Sequence, residues 1–148
     1  MHMIRQAVTD AHAGLPHVAI PVARLILART RWRGRAEDGQ EFGFDLAHPL
    51  RHGAVVFESG THAYVIEQEP EPVLEVALAE DPAAAARLGW SLGNLHQPLQ
   101  ALTGCLRLPD DPAVRALLQS MDVPFRPLRA VFSPAAAGHG SHHHGHHA

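Results

Sequence analysis

"PVLEVALAEDPAAAARLGWSLGNLHQPLQ" (72–100) changes rhythm twice, and those changes decide the fold. "PVLEVAL" is apolar and rich in branched residues, the composition of a strand. The alanine run that follows reads as a helix over 81–94. Asp81 supplies an N-cap, Pro82 suits the first helical position, and Gly93 stands near the stop. A strand or hairpin is expected over about 97–108. "DDPAVRALLQSM" (110–121) repeats the start of the first helix, with Asp111 and Pro112 in the same two roles. Its Val114, Leu117, Leu118 and Met121 fall at i, i+3, i+4 and i+7, one apolar stripe. "PFRPLRAVF" (124–132) supplies a last strand. The order β-α-β-β-α-β is that of a ferredoxin-like fold.

Upstream, the runs are short and strand-like. "VARLILA" (22–28) is expected to be a strand. "RTRWRGR" and "EFGFDL" flank Asp38-Gly39, a hairpin signal, and "AVVFE" and "AYVIEQ" flank the turn "SGTH". Together they predict a small β-sandwich or barrel. The fold class is therefore α+β in two small domains. Residues 1–70 form an all-β domain, 72–134 a ferredoxin-like domain, and 135–148 a disordered histidine-rich tail. The acidic, proline-rich "EQEPEP" (67–72) is the expected linker. Each half holds about 70 residues, where a single core is marginal, so association with a second copy would help.

Composition narrows the function. The 148 residues carry a formal charge of −3, which offers no general basic field for nucleic acid or a membrane surface. No apolar run approaches the roughly 20 residues needed to span a bilayer. A lone cysteine, Cys105, excludes an internal disulfide and suits a reducing compartment, so the protein is expected in the cytoplasm. Cys105 lies in an apolar stretch and reads as a core thiol. There is no phosphate loop, dinucleotide fingerprint, serine elbow or zinc-type cysteine pair, so an enzyme is not indicated. Arg29, Arg31, Arg33 and Arg35 alternate along one strand. They read as a solvated face, with docking to an acidic surface as the sharper alternative.

Histidine is the outlier, at 13 residues. His2, His12, His17, His48, His52 and His62 are scattered and read as loop residues. The end of the chain differs in kind. In "GHGSHHHGHHA" (138–148), His139, His142, His143, His144, His146 and His147 are separated only by glycine and serine. Glycine leaves the backbone loose, so several imidazoles can converge on one borderline cation such as nickel, copper or zinc. The run is interrupted and grows out of "AAAG", unlike an expression tag. His96 is set just beyond a helix end. Gly93 and Asn94 tolerate a left-handed conformation there, Pro98 fixes the exit, and the helix terminus favours a cation. One imidazole is a poor site alone, but a two-fold axis beside it would supply two.

"LGNLHQPLQ" (92–100) resembles the segment commonly seen as HLGNRHxPLQ in the urease accessory protein UreE family, which are nickel metallochaperones. "RTRWRGRAEDGQEFGFDLAHPLRHG" is similar to that family's N-terminal β-domain, and "DDPAVRALLQSMDVPFRPLRAVFSP" to the second helix and last strand of its C-terminal domain. A histidine-rich tail is frequent in the family. The resemblance runs from about residue 20 and leaves the N-terminus loosest. It implies a homodimer with a peptide-binding-like first domain and nickel held between His96 and its symmetry mate. Nickel would pass to urease through the GTPase UreG and the maturation complex. Ser91, Leu95 and Pro112 replace residues that other members use, and Gly53-Ala54 stands where a glycine-aspartate often ends the N-terminal pattern. Internal ligands are thus pared to His96, and the tail completes the coordination. A nickel store and a metal-independent peptide adaptor are the competing functions.

Overall fold

The computed structural model of the chain describes residues 1–134. The segment 135–148 lies outside the described residues. The chain divides into two compact units, Met1–Pro70 and the part from Glu71 onward. Strands and helices together make the chain an α+β protein.

The first unit contains β1 (His2–Ile4), β2 (His17–Val22), α1 (Arg24–Leu27), β3 (Arg31–Arg35), β4 (Glu41–Asp45), β5 (Val55–Glu58) and β6 (Ala63–Gln68). They form two three-stranded sheets, ordered β1-β4-β3 and β2-β6-β5. Each sheet joins one hairpin (β3/β4 or β5/β6) to a parallel strand from earlier in the chain. Both contribute to one core, in which Ile20, Phe42 and Ile66 have no exposed surface. The Asp38-Gly39 turn forms as the sequence suggests, with Gly39 at φ +89. Asp38 ties this turn to the other sheet by accepting from the Tyr64 hydroxyl at 2.7 Å. The Gln40 backbone N–H and that hydroxyl hold the Asp38 carboxyl below the usual carboxylate range.

Three expectations for this half need correction. Residues 24–27 form a helical turn, not a strand. Ala, Leu and Arg are good helix formers, Ile26 is the only branched residue among them, and the Ile26 and Leu27 amides both return to the Ala23 carbonyl. The sequence offers no strand before residue 22, yet β1 and β2 pair in parallel with β4 and β6. The proposed linker shrinks to Glu69-Pro70, since Glu67 and Gln68 complete β6 while Glu71 and Pro72 begin the next strand. Polar composition misleads there because these residues lie at the ends of their strands, where Glu and Pro are tolerated.

The second unit comprises β7 (Glu71–Ala77), α2 (Pro82–Gly93), β8 (Gln100–Leu102), β9 (Cys105–Pro109), α3 (Pro112–Ser120) and β10 (Arg126–Ala130). Its sheet is ordered β10-β7-β9-β8, and every neighbouring pair is antiparallel. Both helix starts follow from local chemistry. Asp81 accepts from the Ala83 and Ala84 amides and Asp111 from the Ala113 amide, each with proline next in sequence. Leu88 and Leu92 of α2 and Val114 and Leu118 of α3 pack with Leu74, Val76, Leu106 and Leu108 on one sheet face.

On the opposite face, the paired register places Arg126, Glu75, Arg107 and Gln100 in one row across all four strands. Cys105 sits on this face, opposite Ala77. It is half-buried, so it is not the core thiol expected from its apolar neighbours. Alternation decides this, since Leu106 and Leu108 take the helix-facing positions.

Glu75 receives Arg107 Nε at 2.9 Å and Arg126 Nη2 at 2.6 Å, and these two guanidinium groups push its carboxyl below the usual range. A depressed carboxyl contributes stability above its unfolded pKa of about 4.3 and loses it as pH falls through the lower folded value. Thermal unfolding followed against pH should therefore show stability dropping on the acid side. Glu75→Gln should lower the melting temperature at neutral pH and make the acid decline shallower. An unchanged acid slope in the variant would show that the bridge carries none of it.

Candidate metal-binding site

His96 follows α2, and its placement is built one residue at a time. Leu88 and Leu92 anchor the helix in the core. The helical path then tightens, with the Asn94 amide returning to the Trp90 carbonyl, Leu95 to Leu92 and His96 to Gly93 at 3.0 Å. Leu95 packs partly against the same core. His96 ends the turn with φ 54, in the left-handed region. The sequence assigned that conformation to Gly93 or Asn94. Gly93 instead closes the helix, Asn94 is right-handed at φ −67, and the imidazole-bearing residue itself turns the chain. A left-handed non-glycine residue costs roughly 1–2 kcal/mol, so the surrounding packing must hold it there. The His96 side chain is exposed.

The neighbouring face of α2 is the feature that sequence reasoning missed. Ala83, Ala86, Arg87, Trp90, Gly93 and Asn94 are all exposed, and Trp90 retains 72% of its surface. The signal was available. Trp90 lies two residues from both Leu88 and Leu92, about 200° around the helix from each, which places it opposite the buried stripe. No atom lies within 4 Å of a Cβ added at Gly89 or Gly93, so the surface beside the indole is open to a partner.

Among the described residues, no three His, Cys, Asp or Glu side chains are grouped so as to hold a metal ion. The tail residues His139, His142, His143, His144, His146 and His147 lie outside the described residues. The scattered histidines have other surroundings. His2 stacks on Phe57 with ring centroids 4.3 Å apart, and His12 Nδ1 is 2.9 Å from Glu58 Oε2. That imidazole and the His12 backbone amide hold the Glu58 carboxyl below its ordinary range. The Nδ1 of His52 accepts from the Gln68 amide at 3.0 Å, which occupies one of its two ring nitrogens. His2 and His17 belong to strands, not loops. Of the four alternating arginines, Arg31, Arg33 and Arg35 share the exposed face of β3, while Arg29 precedes the strand. Arg31 is paired with Asp45 at 2.8 Å. Pro112 occupies the first position of α3, where it serves the helix start and offers no ligand.

Comparison with known families matches residues 71–148 to the model described as UreE urease accessory protein, C-terminal domain. The chain belongs to the UreE family of urease accessory proteins. Relatives named Urease accessory protein UreE match both units. One from Beijerinckia indica is 34% identical over 123 residues, covering 80% of this chain and 70% of the relative. Another from Pseudomonas putida is 36% identical over 121 residues, with 80% and 73% covered. A third from Ralstonia nicotianae is 36% identical over 151 aligned positions, 93% of this chain and 71% of the relative. UreE relatives are thus named as accessory proteins and not as enzymes. Among the described residues no helix is long and apolar enough to cross a membrane.

Proposed function

We propose that the protein acts in urease maturation as a cytoplasmic nickel metallochaperone. It binds Ni2+ as cargo at His96 on the two-fold axis of a homodimer and delivers it through the GTPase UreG and the maturation complex. In this reading residues 1–70 are a peptide-binding-like domain, 72–134 a ferredoxin-like domain, and 135–148 a tail whose histidines complete the coordination. The β-α-β-β-α-β order and the β10-β7-β9-β8 sheet support the second assignment. The observation that carries the functional reading is an exposed imidazole, held in a left-handed turn that follows a helix bearing an exposed tryptophan. Buried aromatic anchors among small residues are the usual centre of an interface. A symmetric contact made through this face would present every ligand twice.

The decisive experiment loads the dimer with nickel and adds it to apo-urease with UreG and a competing chelator. Delivery predicts more active urease than the same nickel supplied free. Equal activation would leave only storage, a reading favoured by the six tail histidines (His139, His142, His143, His144, His146 and His147). Zinc and copper should also bind in vitro, copper more tightly than nickel, so selectivity must rest on supply and geometry.

Proton competition gives a further expected result. Imidazole binds metal only when neutral, and an ordinary histidine protonates near a pKa of about 6.5. Nickel titrations from pH 8 to pH 5 should show both affinity and stoichiometry falling through that range. Identical stoichiometry at both ends would exclude histidine as the dominant ligand.

A further inference from the structure

The outer face of the β1-β4-β3 sheet carries the three arginines of β3, each set against a residue of β4. The register pairs Arg31 with Asp45, Arg33 with Gly43 and Arg35 with Glu41. The outer two thus face a carboxylate across the strands, and the middle one faces a glycine. Arg31 Nε reaches Asp45 Oδ1 at 2.8 Å, and Arg35 Nε donates to the Gly39 carbonyl at 3.3 Å. Arg33 is exposed and has no hydrogen-bond or ion-pair partner among the described residues. Three guanidinium groups against two carboxylates leave one positive charge in excess. The carboxylate missing from the pattern is the one opposite Arg33.

β1 adds an apolar border to this place. Met3 pairs with Gly43 from the other side of β4, so Met3, Gly43 and Arg33 form one row across the sheet. Met1 and Met3 keep 65% and 56% of their surface exposed, and both lean over Gly43. A Cβ there would meet Met3 Cε at 3.1 Å, Met3 Sδ at 3.2 Å and Met1 Cε at 3.7 Å. A shallow pocket of about 250 Å³ adjoins them, lined by Met1, Arg33, Gly34, Arg35, Glu41 and Phe42. Arginine and methionine are enriched in protein interfaces, and the unbranched thioether adapts to the shape it meets. The surface therefore joins an unpaired guanidinium to a pliable apolar patch.

We propose that this face docks an acidic segment of a partner protein. A carboxylate of the segment takes the empty place opposite Arg33, and an adjoining apolar side chain packs on Met1 and Met3. The proposal rests on the reading of residues 1–70 as a peptide-binding-like domain, and it adds where the peptide lies and which charge it carries. Nucleic acid fits this face less well. Its backbone, charged at every phosphate, would meet Glu41 and Asp45 on either side of Arg33, whereas one carboxylate meets the guanidinium alone. It would also leave the two thioethers uncovered.

Fluorescence anisotropy on the full chain tests the docking with two labelled peptides. One has a Leu-Glu-Leu-Glu centre between Gly-Ser flanks, and the other has Leu-Gln-Leu-Gln in its place. The acidic peptide should bind more tightly. Arg33→Gln should weaken it on the order of 5-fold, the scale of one exposed ion pair. Arg31→Gln should not, because Asp45 already holds that guanidinium. Both substitutions change exposed side chains, so the fold should tolerate them. Gly43→Asp should weaken binding too, since it supplies the missing carboxylate within the chain and the flexible end of Met3 can give way. Equal losses from Arg31→Gln and Arg33→Gln would reduce the effect to general charge and overturn the proposal. Equal binding of both peptides, untouched by Arg33→Gln, overturns this docking site and leaves the peptide-binding-like reading standing. No binding of either at millimolar peptide overturns both. A mixed-sequence single-stranded oligonucleotide that binds more tightly than the acidic peptide, and weakens with Arg33→Gln, would assign the face to nucleic acid instead.

Discussion

Replacing His96 with alanine should leave the dimer assembled and abolish the tight nickel site, with affinity falling by roughly 100-fold or more. That is at least the upper end of what losing a supporting residue around a metal costs. No second group of ligands among the described residues could take over. The dimer should persist because its proposed contact is the α2 face around Trp90, which the substitution does not alter. A companion variant separates chemistry from backbone strain. Alanine inherits the left-handed φ 54 of His96, whereas glycine occupies that region freely. His96→Gly should therefore be more stable than His96→Ala by about 1 kcal/mol, with neither binding nickel tightly. Light scattering, nickel calorimetry and urea unfolding of the two variants give all three readouts. Retained tight binding in both would make the tail the sole carrier of the chemistry.

What could be read from the sequence was what local chemistry determines. Asp81-Pro82 and Asp111-Pro112 mark helix starts because the cap and the missing proline amide act within one turn. Leu117, Leu118 and Met121 show their face because helical spacing is local as well. The first miss was residues 22–28, where an apolar run without alternation suits a strand or a short helix and only its neighbours decide. β1 and β2 were missed because each is stabilised by a parallel partner some 40 residues later in the chain, a pairing no local pattern announces. The site shows the same division. The place of His96 just beyond a helix end was visible from its frame, but its left-handed backbone was not, because the Leu95 packing and three successive turn amides impose it. The hydrogen bond from the Ser133 amide to the Gln100 side chain at 3.2 Å spans 33 positions and follows from the path of the chain after β10, which no local pattern announces.

Leu92→Ala should join these two levels by weakening the fold and the site together. Leu92 has no exposed surface, and it packs with Leu74, Val76, Leu88, Leu106, Leu108, Val114 and Leu118. Truncating a buried leucine costs about 2–5 kcal/mol. A unit of this size has only about 3–10 kcal/mol in total, so a large share would be lost. The position of the loss matters as much as its size. The Leu92 carbonyl accepts the Leu95 amide at 3.1 Å, and Leu95 precedes the strained His96. With the helix end loosened, His96 is free to leave its left-handed conformation, and metal binding must then re-impose that order. Leu118→Ala is the control, because Leu118 is equally buried in the same core but belongs to α3. Both variants should lose similar stability in urea unfolding. At temperatures where both remain folded, nickel affinity should fall in Leu92→Ala and hold in Leu118→Ala. If the two variants lost affinity equally, the packing under α2 would be maintaining the fold without pre-setting the imidazole.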